Sequence, residues 1–447
     1  MPDPNTLVYA RHVELRQQQT EQVMAELGFD RVLIHSGKPR NRFLDDQHAP
    51  FRAHPPFVSW LPLPWVADCL IEIRPAEKPR LWYYQPEDFW HLPPRDPEEW
   101  WAQAFEVRVF NESGGWREAL KSPEPTAIIG EPEDFSADFP GDNEKADLNP
   151  AALMRCLDEH RTVKTAWERE QIARANRIAV AGHQAAAEAF AGGASELEIH
   201  LRFLAATGQD ADHLPYNSIV ALNEHCAVLH YQHRQARPPR ALRSFLMDAG
   251  ADSHGYASDI TRTVAASGEP DFKALIEAVD AMQLRLVEQV RAGQSYADLH
   301  LQAHLGVAGI LEAAELVRMS PEAMVEDGIT TRFLPHGLGH FIGVQVHDVA
   351  GKVDGRGNPL PAPEGHRFLR LTRNLQAGNV VTIEPGLYFI PALLEELKAG
   401  PLRDRFDWSA IDALIPLGGI RIEDDVLVTE KAPVNYTRDA WRLARAA

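Results

Sequence analysis

The chain has 447 residues, of which 45% are hydrophobic and 24% are charged, a composition typical of a soluble globular protein. Its formal net charge of −19 argues against nucleic-acid and anionic membrane partners, because both need a basic protein surface. No stretch approaches the roughly 20 apolar residues of a membrane span, and no signal peptide is recognisable. The three cysteines are far apart and fit a reducing compartment, so we expect a cytoplasmic protein.

The first part of the chain has an α/β pattern. We predict a helix over residues 7–28 and then strands at Arg31–His35, Asp68–Ile73, Arg80–Tyr84, Glu106–Phe110 and Thr126–Gly130. The loops Phe43–Pro64 and Glu87–Trp101 are rich in proline and tryptophan, which is typical of surfaces that pack against a partner subunit or another domain. A chain of this length favours two domains. After a predicted helix at Asn149–His160, we place their boundary between residues 161 and 162.

The second predicted domain, residues 162–447, contains an internal repeat. Gly193–Leu201 resembles Gly293–Leu301 at a spacing of 100 residues, and each copy follows a long amphipathic helix and opens a second helix at a serine cap. Predicted strands follow both copies, at 218–222, 227–231 and a hairpin at 246–263 after the first, and at 343–346, 380–390 and 419–427 after the second. The repeat predicts a pseudo-symmetric α+β domain with a site at the junction of its halves.

The hairpin Leu246–Thr263 brings two aspartates together at the end of a hydrophobic strand. If its turn centres on Ser253 and His254, Asp248 pairs with Asp259 on one face, with Cβ atoms about 4.5–5.5 Å apart. Carboxylates at that distance repel each other unless a proton or a cation lies between them. The pair therefore indicates either a metal site or a solvated polar hairpin.

Further polar residues interrupt apolar segments in the second half. His336 and His340 lie in a glycine-rich loop, His347 follows, and Glu384 and Glu423 each stand at the end of a hydrophobic run. Such carboxylates are costly to bury unless they are paired or bind a metal. Oxygen and imidazole donors without cysteine suit Mn²⁺ or Mg²⁺, with Zn²⁺, Co²⁺ and Fe²⁺ possible. Four carboxylates and one imidazole suit two ions, which would activate a shared water for hydrolysis.

Each of these residues also has a simpler explanation. A single histidine is more often a surface or hydrogen-bonded structural residue than a ligand. Glu384 precedes Pro385 and Gly386 and could merely end a strand at a turn. Arg421 and Glu423 alternate on one strand face and could form a simple ion pair. A metal site is favoured over these simpler explanations, because all of them would have to hold at the same time.

The segments DAGADSHGYASDITRT, PHGLGH with VHD, TIEPGLY and GIRIEDD occur in this order and resemble the metal-binding motifs of the pita-bread metallopeptidases. That group includes methionine aminopeptidase, aminopeptidase P and prolidase, and the chain is most similar to the bacterial Xaa-Pro dipeptidases (prolidases) over nearly its whole length. The resemblance implies two divalent ions per subunit, most readily Mn²⁺. It implies five ligands, namely Asp248, Asp259, His340, Glu384 and Glu423.

The same resemblance implies hydrolysis of Xaa-Pro dipeptides at the bond before the C-terminal proline. A hydroxide bridging the two ions would attack the carbonyl carbon, and Glu384 would carry the proton to the leaving nitrogen. His230, His336 and His347 match histidines that line the active site of the family. Among them, His347 and His230 would stabilise the oxyanion.

Substrate contacts and assembly are implied in the same way. Arg370 matches the position expected to bind the substrate carboxylate, for which a guanidinium is well suited. Tyr216, Tyr296 and Arg421 resemble other pocket positions. In close relatives the residue matching Asp45 reaches the active site of the partner subunit, so the N-terminal domain is expected to mediate a homodimer and to cap the active site.

Three alternative functions stay open at this point. Prolidases of this type resemble organophosphorus acid anhydrolases, which hydrolyse phosphotriesters and fluoridates on the same two metals. Aminopeptidase P differs by cleaving tripeptides with proline in second position. The fold also occurs as a non-catalytic binding module, typically without the ligands that this chain retains.

Overall fold

The computed structural model describes residues 4–135 and 145–446, which form two compact units. The first unit contains the residues up to Arg161 together with Thr165–Trp167, and the second contains Thr162–Lys164 and the residues from Glu168 onward. Within the described ranges, no helix combines the length and the apolar character needed to cross a membrane. The cytoplasmic location stays a prediction.

The first unit is built on a mixed six-stranded sheet. Its helices are α1 (Pro4–Leu27), α2 (Pro55–Val58) and α3 (Ala151–Thr162), and its strands are β1 (Arg31–His35), β2 (Leu70–Ile73), β3 (Arg80–Tyr84), β4 (Glu106–Phe110), β5 (Thr126–Ile129) and β6 (Ala146–Leu148). The strand order is β4-β3-β2-β1-β5-β6, with β1 antiparallel to β2 and parallel to β5. These three strands are buried along their whole length, because they lie at the centre of the sheet. The strands predicted in this region are therefore confirmed.

The second unit combines helices with several short antiparallel sheets. Its helices are α4 (Ala166–Ala191), α5 (Glu196–Thr207), α6 (Pro270–Val287), α7 (Tyr296–Ala313), α8 (Pro321–Glu326), α9 (Thr330–Phe333), α10 (Pro391–Ala399), α11 (Trp408–Leu414) and α12 (Tyr436–Ala446). Its strands are β7 (Ile219–Leu222), β8 (Ser244–Asp248), β9 (Asp252–Ser253), β10 (Tyr256–Ala257), β11 (Thr261–Ala265), β12 (Val380–Ile383), β13 (Gly386–Tyr388), β14 (Gly419–Arg421), β15 (Asp424–Leu427) and β16 (Val434–Asn435). The sheets are β11-β8-β7, β12-β15-β16, β13-β14 and β9-β10.

The predicted repeat is present as two helix pairs, each followed by antiparallel strands. Ser195 and Glu198 form the predicted capping box at the start of α5, and Ser295 caps α7 by accepting a hydrogen bond from the backbone N–H of Asp298. One hydrophobic core joins α4 and α5 to β7 and β8, and another joins α6 and α7 to β12–β15. The predicted α+β, pseudo-symmetric architecture is confirmed.

The aspartate hairpin has a different register from the predicted one. Its two-residue turn is His254–Gly255, with φ of 53° and 89°, so that Asp248 pairs with Thr261 and not with Asp259. A two-residue turn of this kind requires positive φ at both positions, and Gly255 adopts it without steric cost. Asp259 lies in the irregular stretch between β10 and β11.

Other strand predictions in this unit were wrong in detail. Residues 227–231 do not form the predicted strand: a 3₁₀ turn covers Asn223–Ala227, and irregular backbone follows it. Residues 343–346 form bends. The strands predicted at 380–390 and 419–427 are each interrupted, the first because Pro385 has no N–H to continue a ladder. Glu384 and Glu423 lie at these interruptions, so their side chains need not point alternately to opposite faces as strand residues do.

Buried ion pairs connect distant segments of the second unit. Asp424 on β15 is completely buried and contacts Arg262 at 2.6 Å and Arg438 at 2.8 Å. Lys164 contacts Asp348 at 2.9 Å, and their side chains are 1% and 2% exposed. Removing one member of such a buried pair is strongly destabilising.

Candidate active site

The five predicted ligands meet at one cavity of about 450 Å³ in the second unit. They come from the end of β8, the connection before β11, the loop between α9 and β12, the end of β12 and the residue before β15, as Asp248, Asp259, His340, Glu384 and Glu423 respectively. The cavity is also lined by five other predicted site residues, namely His230, His336, His347, Arg370 and Arg421. Segments that are far apart in the chain thus contribute to one site.

The ligand atoms are spaced as donors around a metal ion would be. Asp259, His340 and Glu423 each offer one ligand atom, and these three atoms lie within 4.8 Å of one another. His340 Nε2 is 3.5 Å from Asp259 Oδ2 and 3.6 Å from Glu384 Oε1. Two donors at bonds of about 2.1 Å and a tetrahedral angle are about 3.4 Å apart. The spacing fits an ion between these donors.

Three of these side chains are each held in place by a hydrogen bond. His340 Nδ1 donates to a main-chain carbonyl at 2.9 Å, which leaves the lone pair on Nε2. The Tyr216 hydroxyl donates to Asp259 Oδ1 at 2.6 Å, and the Thr261 hydroxyl donates to Glu423 Oε2 at 2.6 Å. Such bonds orient metal ligands and raise the affinity of a site.

The buried carboxylates of this cluster repel one another, which favours the binding of a cation. Burial, with repulsion from Asp248, raises the pKa of Asp259 well above its usual range, and burial with Asp259 does the same for the pKa of Glu423. Burial also raises the pKa of Glu384 to about 7, although His340 opposes the shift. Among the described residues, buried Asp248 Oδ1 has no hydrogen-bond partner. Repelling carboxylates with an unpaired buried oxygen fit divalent ions.

Arg421 holds one of the carboxylates in place. Its guanidinium donates to Asp248 Oδ2 at 2.7 Å, to the Tyr388 hydroxyl at 2.8 Å and to Thr261 Oγ1 at 3.2 Å. Although burial by itself lowers the pKa of Arg421, the adjacent Tyr388 and Asp248 raise it well above its usual value. Arg421 lines the cavity, but its bonds to the protein make it a residue that positions Asp248.

The three predicted histidines stand at the same cavity in different settings. His336 is half-buried, donates from Nδ1 to a main-chain carbonyl at 2.8 Å and is hydrogen-bonded through Nε2 to Tyr388 at 2.9 Å. Desolvation and Arg421 lower the pKa of His336 to about 4. The ring of His347 is edge-on to that of His340, with centroids 4.4 Å apart, and desolvation followed by His340 lowers its pKa to about 3. His230 is exposed at the cavity.

Three residues predicted to contact substrate are not among the residues that line the cavity. Tyr296 is completely buried at the start of α7, where its hydroxyl donates to the carbonyl of Thr382 at 2.6 Å. Tyr216 is half-buried and contacts Asp259, as described above. Neither is among the residues lining the cavity, and their contact with substrate stays a prediction. Asp45 is exposed in the first unit, and its role in a partner subunit stays a prediction.

Sequence reasoning missed several residues of the site. Lys352, Arg367 and Phe368 line the cavity, and Tyr388 links Arg421 to His336. The proximity of Arg367 and Phe368 to Arg370 in the chain was the available signal. Lys352 offered none, because it stands in a polar loop like many others.

Comparisons with known proteins agree with this geometry. Residues 170–430 match the family model described as Metallopeptidase family M24, and residues 7–158 match the model described as Xaa-Pro dipeptidase, N-terminal domain. The chain is 48% identical over 441 residues to an Xaa-Pro dipeptidase of Marinobacter nauticus, covering 98% of this chain and 100% of the relative. It is 43% identical over 447 residues to one of Stenotrophomonas maltophilia, covering 99% of each.

Solved structures show the same fold at lower identity. The aminopeptidase PepP of Pseudomonas aeruginosa has a TM-score of 0.73 at 20% identity, covering 97% of this chain and 99% of that one. Aminopeptidase P from E. coli has a TM-score of 0.74 at 19% identity, covering 98% of each chain. With carboxylate and imidazole side chains around one cavity and a family model matched across more than half of its length, the chain belongs to metallopeptidase family M24.

Proposed function

We propose that this metallopeptidase hydrolyses Xaa-Pro dipeptides at the bond before the C-terminal proline. The supporting observation is that one cavity combines a set of carboxylate and imidazole donors with the basic side chains Arg370, Arg367 and Lys352. Its volume of about 450 Å³ is in the range that small ligands occupy. The names of the similar dipeptidases point to the same substrates.

The donor set suits two divalent ions. Asp248, Asp259, His340, Glu384 and Glu423 would hold these ions. Carboxylates favour Mn²⁺, and the imidazole permits Zn²⁺, Co²⁺ or Fe²⁺. When bound, such ions lower the pKa of a water molecule and polarise the carbonyl oxygen of the substrate.

The protein groups would move protons and stabilise charge. Glu384, whose side chain is 17% exposed, faces the cavity and would take a proton from water and deliver it to the proline nitrogen as the bond breaks. The nitrogen of an Xaa-Pro bond carries no hydrogen, so the site needs no acceptor for it. The neutral ring of His347 and the ring of His230 would each donate an N–H group to the oxyanion, which is a large contribution in acyl transfer.

Arg370 would restrict the enzyme to dipeptides by binding the carboxylate of the terminal proline. The side chain is exposed at the cavity, and a guanidinium can make two parallel hydrogen bonds to a carboxylate. A bond to a charged group contributes about 1.5–3 kcal/mol, so Arg370→Ala should raise KM for Ala-Pro roughly 10- to 150-fold. Arg403→Ala is the matched control, because its side chain is 68% exposed and it is not among the residues lining the cavity. Equal KM values for the two variants would remove Arg370 from the proposed role.

The activity is tested with purified protein treated with a chelator and then supplied with Mn²⁺ or Zn²⁺. Metal-dependent cleavage of Ala-Pro and Leu-Pro but not of Ala-Pro-Ala, together with two Mn²⁺ ions per subunit, is the expected result. Cleavage of the tripeptide would indicate aminopeptidase P activity. Absence of both metal and turnover would refute the proposal.

We also propose that the chain forms a homodimer. The first unit exposes large apolar side chains, with Phe43 at 93% and Leu44 at 90% of their surface. Adjacent exposed apolar residues of this size are typical of protein interfaces. Light scattering of the purified protein should give twice the mass of 50.0 kDa, and Phe43→Asp should shift the distribution toward monomer. A monomeric wild-type protein would refute the proposal.

A further inference from the structure

A second group of imidazoles lies in the second unit, outside the residues that line the active-site cavity. His300 and His304 are four residues apart on α7 and therefore share one face of the helix, and His366 approaches them from the loop before β12. The three ring centroids are 4.5–4.7 Å apart. One ring nitrogen from each residue lies within 4.8 Å of the other two.

Ordinary packing leaves polar atoms of this group unsatisfied. His300 Nε2 is hydrogen-bonded to His366 Nδ1 at 2.9 Å, and His304 Nδ1 is hydrogen-bonded to Thr330 Oγ1 at 2.9 Å. In the described part of the chain, the other ring nitrogens of His300 and His304, namely His300 Nδ1 and His304 Nε2, have no partner, although both residues are only 1% exposed. A buried polar group without a hydrogen bond is destabilising, so a ligand that binds these nitrogens would relieve that cost.

The protonation state of the group suits metal binding. Burial lowers the pKa of His300 to about 2 and that of His304 to about 3, and in both cases the neighbouring imidazoles add to the shift. Burial also lowers the pKa of His366. All three rings are therefore neutral at physiological pH, which is the form that binds metal without first losing a proton.

We propose that His300, His304 and His366 bind a further transition-metal ion, separate from the ions of the catalytic cavity. Three imidazoles without a carboxylate favour Zn²⁺, Cu²⁺ or Ni²⁺ and disfavour Mn²⁺ and Mg²⁺. Zinc–nitrogen bonds of about 2.0–2.1 Å place tetrahedral donors about 3.3 Å apart, within the spread that the three rings already have. When Nδ1–H of His304 donates to Thr330 Oγ1, Nε2 of that ring keeps its lone pair for the ion.

The position of the group indicates a structural role for the ion. His366 is separated by three residues from Arg370, and the turn between them is closed by a bond from the N–H of Leu369 to the carbonyl of His366 at 3.0 Å. Arg367, Phe368 and Arg370 from this segment line the cavity. An ion shared with α7 would anchor the segment; its effect on substrate binding rests on the proposed function, whereas the metal site itself does not.

The different donor chemistry of the two sites provides the test. Chelator-treated protein is saturated with Mn²⁺ or with Zn²⁺, dialysed and analysed for metal per subunit. We expect one more Zn²⁺ than Mn²⁺ in the wild-type protein. His366→Asn, at a half-buried position, should abolish that difference without changing the Mn²⁺ count. Thr330→Val should leave the count unchanged and weaken binding of the additional Zn²⁺ about 10- to 100-fold.

His91→Asn is the matched control, because its side chain is 75% exposed and outside the group. It should retain the additional Zn²⁺. Equal Zn²⁺ and Mn²⁺ counts in the wild-type protein, or an additional Zn²⁺ that persists in His366→Asn, would overturn the proposal. Zinc-edge anomalous scattering from wild-type crystals is a second measurement that needs no variant: a peak between the three rings is expected, and its absence would refute the site. Ala-Pro hydrolysis by the Mn²⁺ form reports separately on the proposed function.

Discussion

Tyr216→Phe separates two roles for a residue next to the ligand cluster. Sequence similarity suggested that Tyr216 contacts substrate, whereas in the structure its hydroxyl donates to Asp259 Oδ1 at 2.6 Å. The substitution removes this hydroxyl and keeps the ring, so packing changes little. A hydrogen bond to a charged acceptor contributes about 1.5–3 kcal/mol, which corresponds to roughly 10- to 150-fold in an equilibrium constant. We therefore expect Tyr216→Phe to weaken Mn²⁺ binding roughly 10- to 150-fold.

The assay is competition for Mn²⁺ with a chelator of known affinity, followed by steady-state kinetics at saturating metal. Because the bond acts on Asp259 and not on substrate, KM for Ala-Pro should stay within about twofold once metal is saturating. Tyr84→Phe in the first unit is the control and should leave metal affinity unchanged. If Tyr216→Phe kept its Mn²⁺ affinity and instead raised KM, the residue would contact substrate and our reasoning from the hydrogen bond would be wrong.

Two further predictions concern buried charge in the second unit. Lys164→Met should lower the free energy of unfolding by about 3–5 kcal/mol in urea titrations, because it removes the buried ammonium group that contacts Asp348. Lys273→Met, at an exposed ion pair, should cost at most about 1 kcal/mol, and equal effects of the two substitutions would refute this prediction. The two arginines bonded to Asp424 outweigh the effect of burial and lower its pKa to about 2. Since the unfolded value is about 3.9, the stability from this group is complete above that pH and is lost as the pH falls toward 2, about 2–3 kcal/mol in all. Asp424→Asn should be less stable than the wild type near pH 6 and should lose less stability between pH 4 and 2; parallel pH profiles would contradict the assignment.

Local features of the fold were predictable because their causes lie within a few residues. The capping box joins Ser195 to Glu198 across a single helical turn, and α1 gives way to β1 after Gly28, which takes a φ of 77°. The strands of the first unit are apolar runs that end at turn residues. Such patterns are readable because a backbone conformation depends mainly on its immediate neighbours.

The hairpin that carries Asp248 shows that the local sequence does not decide the register of a strand. Its position was predicted, but moving the turn by one residue, to His254–Gly255, changed the partner of Asp248 by two positions. Both turns are possible from the residues alone. The choice depends on the sheet in which β8 and β11 are held, since β8 must also pair with β7.

The sequence by itself determined the residue types of the site, their order and the α+β class, because donor chemistry and hydrophobic periodicity are properties of the chain. Only the tertiary structure decided which atoms those residues meet. Thr261 reaches Glu423 across 162 positions and Tyr216 reaches Asp259 across 43, and no local pattern predicts either bond. These contacts arise when separate strands and helices bury their apolar faces together, and the same packing brings the Tyr296 hydroxyl to the carbonyl of Thr382.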